Sequence, residues 1–129
     1  MILLDTHIWV WWANGSEQLH GTQRDAINQH GASGLGVSVI SCWEVGKLVE
    51  KGRLKLSMGL SDWITAALAL PGVVTLPLTP EIAIESVQLP LPIHGDPADQ
   101  IIVATSRVLG AKLLTADERL IQYAGVTTL

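Results

Sequence analysis

The chain has 129 residues, 48% apolar and 16% charged, and a net charge of −4. That is enough chain for one domain, residues 1–129, with a core of its own; the composition excludes disorder. The acidic balance excludes a general attraction for nucleic acid or anionic membranes, and no apolar run approaches the roughly 18 residues of a membrane span.

Ile2 to Leu4 reads as a buried strand that Asp5 ends, and a helix capped by Asp5 or Thr6 follows over 7–13. The start carries no basic secretory leader. The single cysteine, Cys42, leaves no internal disulfide and fits a reducing, cytoplasmic setting. Loose apolar spacing predicts a second helix within 16–30, stopped by Gly31. Small and β-branched residues over 34–39 predict a strand. From 41 to 51, Cys42, Val45, Leu48 and Val49 share one helical face, while Glu44, Lys47 and Lys51 share another. Ser41 and Glu44 have the spacing of a capping box, which puts Glu44 in that helix's first turn.

Further helices are predicted over 60–70, 80–87 (Thr79 as cap, Pro80 at its first position) and 97–109. Strands are predicted over 73–76 and 112–115, then a helical turn over 118–123 and a weak strand over 126–128. Short apolar strands separated by helices predict an α/β fold, a short parallel sheet with helices on both faces. In such sheets ligands bind beyond the carboxyl ends of the strands. Asp5 and Asp117 both lie just past such ends.

Each acid has an ordinary structural use. Asp96-Pro97-Ala98-Asp99 is a well-formed helix start, and Asp5 and Asp117 can cap the helices behind them. Convergence would change that reading. Carboxylates gathered within roughly 5 Å repel by about 3 kcal/mol per pair at an effective dielectric near 20. A domain stable by roughly 5–15 kcal/mol needs a cation to offset that. Oxygen ligands without a cysteine or histidine cluster select Mg²⁺ or Mn²⁺ over zinc.

Four blocks of the chain resemble the PIN-domain ribonucleases. They are Leu3-Leu4-Asp5-Thr6-His7, Ser41-Cys42-Trp43-Glu44-Val45, Asp96-Pro97-Ala98-Asp99 with Ile101 to Thr105, and Leu114-Thr115-Ala116-Asp117. Within that family the chain looks most like the VapC-type toxins of toxin–antitoxin pairs, and the likeness spans nearly its whole length. The resemblance implies a single PIN-like domain and a Mg²⁺- or Mn²⁺-dependent endoribonuclease, with Asp5, Glu44, Asp99 and Asp117 as the acidic quartet. It makes Asp96 a further metal-site acid, and gives Thr6 and Thr115 the task of orienting carboxylates or water. It also implies an RNA substrate, a cognate antitoxin, a homodimer, and no membrane partner. Gly95 stands where such toxins often carry a basic residue, which removes a phosphate contact.

Lys47, Lys51, Arg53 and Lys55 hold half of the chain's eight basic residues and lie just after Glu44, as a candidate RNA track. A solvated helix face is their ordinary reading. His7 and His94 sit near the acids but are not needed by an all-oxygen site. Trp43 is expected in the core. Trp9, Trp11 and Trp12 cannot all face inward on one helix, so part of that helix is a candidate antitoxin contact.

Two rival readings remain. A phosphoryl-accepting domain, either a receiver or an aspartyl phosphatase, wants a second acid beside Asp5, where Thr6 and His7 stand. A PIN-like binding module without activity would have no need of the complete acidic set.

Overall fold

The computed structural model describes residues 1–129. Four parallel strands, β1 (Ile2–Leu4), β2 (Leu35–Ser38), β3 (Val73–Leu76) and β4 (Lys112–Leu114), form one sheet in the order β3-β2-β1-β4. Ile2 and Leu3 of β1 pair with Leu35 and Gly36 on one side. Ile2 to Leu4 pair with Lys112 to Leu114 on the other. Successive side chains of a strand point to opposite faces, and both faces here are covered. Accordingly Ile2 and Leu4 enter one core with Trp9, Val37, Val45 and Trp63. Leu3 enters a second core with Ile102, Val103, Leu113 and Leu120.

The helices are α1 (Thr6–Ala13), α2 (Gly21–His30), α3 (Val39–Glu50), α4 (Leu60–Leu68), α5 (Pro80–Ser86), α6 (Pro97–Leu109) and α7 (Glu118–Ile121). Asp5 caps α1, Thr79 caps α5, and Asp96 caps α6 with Pro97 behind it. Gly110 closes α6 at φ +63°, a conformation that costs glycine nothing.

Four expectations need correction. The helix within 16–30 begins only at Gly21, where the Gln23 side chain accepts from the His20 N–H; residues 16–20 lie outside any helix. Helix α3 starts at Val39 because Ser38 is its cap, its hydroxyl accepting from the Ile40 N–H at 3.1 Å. Ser41 is therefore an interior, fully buried helix residue, and Glu44 lies in the second turn. No strand forms over 126–128; a single bridge joins Leu113 to Thr128. Trp43 is not in the core but 52% exposed.

Of the three clustered tryptophans, Trp9 is fully buried, edge-on to Trp63 with ring centroids 5.1 Å apart. Trp11 and Trp12 are half-buried against the same core. No helix is long and apolar enough to cross a membrane.

Candidate metal centre

Strand order decides where the acids meet. The chain runs outward from β1 through β2 to β3, then returns to the far side of β1 for β4. The reversal opens a crevice beyond the carboxyl ends of β1 and β4. Asp5 leaves β1 there, its N–H still donating to Leu114 O at 2.9 Å. Thr115 and Asp117 follow β4 into the same place.

Asp5 is buried, at 4% exposure. Its Oδ1 accepts from the Thr6 N–H at 2.8 Å, and its Oδ2 accepts from the Thr115 hydroxyl at 2.6 Å. The Thr115 oxygen in turn accepts from the Asp117 N–H at 3.0 Å, so one hydroxyl ties the ends of both strands together. The Thr6 hydroxyl lies 2.5 Å from Glu44 Oε1 and 2.8 Å from Ser41 Oγ. An ionised carboxylate only accepts, so Thr6 donates to Glu44 and Ser41 donates to Thr6. This relay fixes the Glu44 rotamer from beneath.

Asp99, in the first turn of α6 and 5% exposed, is the meeting point. Its ligand atom falls within 4.8 Å of those of Glu44 and Asp96 in one group, and of those of His94 and Asp117 in another. Asp96 Oδ1 is also engaged by the Ala98 and Asp99 N–H groups of its own cap. Asp5 belongs to neither group but lies close enough for its charge to act on Asp99 and Glu44.

Burial raises the Asp5 carboxyl above its ordinary range, against the Thr115 hydrogen bond, and the Asp99 charge adds to the rise. Burial likewise raises Glu44, against the Thr6 hydrogen bond, with Asp5, Asp99 and Asp96 reinforcing it. Asp99 is raised by burial and by the Asp96 charge, against its hydrogen bond to His94. Asp117 goes the other way, lowered chiefly by hydrogen bonds from Arg119, whose Nη2 lies 2.9 Å from its Oδ2. The same Nη2 is 3.8 Å from Asp99. Asp5, Glu44 and Asp96 have no ion-pair partner.

That donor set fits a hard divalent cation. Three carboxylates crowd together, two of them raised by burial, and neither Glu44 nor Asp96 forms an ion pair. The oxygen ligands suit Mg²⁺ or Mn²⁺. His94 is a member of the site that sequence spacing set aside: its Nε2 is 2.5 Å from Asp99 Oδ2. Its loop is held by the Tyr123 hydroxyl, which donates to Leu91 O at 2.9 Å and accepts from the Leu91 N–H at 3.3 Å. His7 is exposed and lies beside Trp11 instead.

Lys51 and Arg53 line a cleft of about 380 Å³ together with Glu44, Asp96 and Trp43. Lys47 lines it too while pairing with Glu50 at 3.1 Å. Lys55 is exposed and does not line it. The largest cleft lies elsewhere, between Glu85, Arg107 and Lys112, and holds none of the acids of the centre.

The family model for the PIN domain matches residues 2–126. This chain belongs to the PIN-domain family. Within that family, Ribonuclease VapC22 of Mycobacterium tuberculosis (strain ATCC 25618 / H37Rv) is 35% identical over 119 residues, or 92% of this chain and 88% of that protein. The chain thus falls among the VapC-type members. Solved structures agree on the fold. VapBC2 from Rickettsia felis, bound to a DNA fragment from its promoter, superposes with a TM-score of 0.72 at 15% identity, covering 100% of this chain and 98% of that one. FitAcB from Neisseria gonorrhoeae gives 0.70 at 21% identity, covering 100% and 96%.

Proposed function

We propose that this chain is a Mg²⁺- or Mn²⁺-dependent endoribonuclease, the toxin of a toxin–antitoxin pair. It hydrolyses RNA phosphodiesters in the cytoplasm and is silenced by a cognate antitoxin. The observation that carries the chemistry is Asp99: one buried carboxylate shared between two ligand groups, with no ion-pair partner for Glu44 or Asp96. The family membership and the naming of VapC22 as a ribonuclease support the substrate class. The VapBC and FitAcB complexes among the structural neighbours support an antitoxin partner. Homodimerisation is part of the same reading.

Asp99, Glu44 and Asp96 would hold the ion, with Asp5 adding negative charge from the end of β1 and Asp117 from beyond the end of β4. A divalent ion there supplies Lewis-acid polarisation of the scissile phosphate and lowers the pKa of nearby water. The residues do the rest. Thr115 aims Asp5 by donating to it and opposes the rise that burial imposes on its carboxyl. The Ser41–Thr6 relay does the same for Glu44. His94 holds the Asp99 carboxylate in orientation. Lys51 and Arg53 bring positive charge to the cleft beside the centre, where an RNA backbone would run. A phosphoryl-acceptor reading is weaker, because Thr6 rather than an acid follows Asp5 and its hydroxyl is spent on Glu44.

The test is cleavage of single-stranded RNA by purified protein. The parent is expected to cut in Mg²⁺ or Mn²⁺ and stop in chelator. Asp99→Asn is expected to lose cleavage by about a hundred- to a thousandfold, the scale of other single preorganised electrostatic groups. A folded Asp99→Asn variant that cuts like the parent would overturn the assignment.

A further inference from the structure

We propose that Trp43 is a stacking platform for a nucleobase of the RNA beside the scissile phosphate. The proposal rests on the nuclease reading and deepens it. Trp43 lies one residue before Glu44 on α3, and the two side chains line the same cleft. The indole is 52% exposed, whereas burying it is the ordinary fate of so large an apolar side chain. An isolated exposed indole carries no message by itself; its setting does.

The cleft lining carries charge of both signs. Glu44 and Asp96 belong to the metal centre, while Lys47, Lys51 and Arg53 add positive charge to the same lining. Lys47 Nζ already lies 6.0 Å from the centroid of the Trp43 ring. At about 380 Å³ the space lies within the range of clefts that take small organic groups. Single-stranded nucleic acid is bound by this pairing, a cationic groove for the backbone and an aromatic face for a base. A protein partner fits less well, because the centres of protein interfaces are depleted in charged residues, lysine and glutamate among them. Trp43 would thus set which nucleotide lies next to the cut. It is a positioning residue, not a catalytic one.

The experiment compares parent, Trp43→Ala and Trp43→Phe, each in chelator, by fluorescence anisotropy of a short labelled single-stranded RNA. The same series uses an abasic ribose-phosphate strand of equal length. Trp43→Ala is expected to weaken RNA binding about tenfold, within the range for loss of one base–aromatic stack. Trp43→Phe should recover most of that loss. The parent should prefer RNA over the abasic strand, and Trp43→Ala should lose that preference while keeping the parent's salt slope. In Mn²⁺ the substitution should raise KM and leave kcat nearly unchanged.

Equal RNA affinity in parent and Trp43→Ala would overturn the proposal. So would an unchanged RNA affinity with a lost dimer or lost antitoxin binding, which would assign the indole to a protein interface. Failure of the nuclease reading looks different: the parent itself would neither cut nor bind RNA.

Discussion

Glu44→Gln tests the charge argument most directly, because it changes one atom and keeps the acceptor. In the parent, Glu44 Oε1 takes the Thr6 hydroxyl at 2.5 Å; glutamine offers the same oxygen. What the variant loses is repulsion. Glu44 lies within 4.8 Å of Asp96 and Asp99. At that distance each like-charge pair costs about 3 kcal/mol at an effective dielectric near 20. The side chain is half-buried and Asp96 faces solvent in part, so water screening cuts the sum to roughly 1–2 kcal/mol.

Urea unfolding in chelator at pH 7 should therefore show Glu44→Gln more stable than the parent by that amount. The melting temperature should rise by about 3–5 °C per kcal/mol. Mn²⁺ should reverse the order. The parent gains about 2.7 kcal/mol when the ion is at a hundred times its dissociation constant, and the variant gains less because it has lost a ligand. A variant less stable than the parent in chelator, or one that gains as much from Mn²⁺, would refute the reasoning.

The remaining predictions concern pH, the competing cation and the RNA track. Asp5, Glu44 and Asp99 have carboxyls raised in the folded state, so the folded chain binds their protons more tightly than the unfolded one. Stability in chelator should then fall as pH rises from ordinary carboxylate values through the raised ones, and saturating Mn²⁺ should flatten that slope. Asp117 is lowered and contributes oppositely: its stabilisation is present above its unfolded value and is lost as pH falls through its folded one. It is also more exposed, and its effect should be smaller; urea midpoints across the range measure both. Arg119→Gln removes the guanidinium that lies against Asp117 and near Asp99. Calorimetric titration should show Mn²⁺ binding tightened by roughly two- to fivefold, the worth of an exposed ion pair. Lys51→Ala should weaken RNA binding and lower its salt slope by about 1, and an unchanged slope would remove Lys51 from the phosphate path.

Sequence spacing located most of the elements because their signals are local. Asp96-Pro97 at the head of α6, Gly110 at its end and Thr79-Pro80 before α5 each act on their own turn. The start of α3 was harder, since Ser38 and Ser41 both suit a cap, and only the burial of Ser41 against Thr6 separates them. Trp43 shows helical phase overriding apolar identity. It stands four residues before Lys47, on the polar side of α3, and its phase alone placed it in solvent. The nearness of Asp5, Glu44 and Asp99 was out of reach of any local signal, because it depends on strand order. The part of His94 was equally hidden: nothing in a proline-punctuated loop tells that its ring turns toward α6.

The Tyr123 clasp on Leu91 makes one side of this pocket a lodger of the chain's far end. A hydroxyl 32 positions downstream decides where the peptide before His94 may rest. Strain arriving through the last turns of the polypeptide, whether from a fused tag or a visiting protein, would travel by that tether to the imidazole and loosen its grip on Asp99. Damage there would mimic an injured catalytic apparatus while every acid stayed in place.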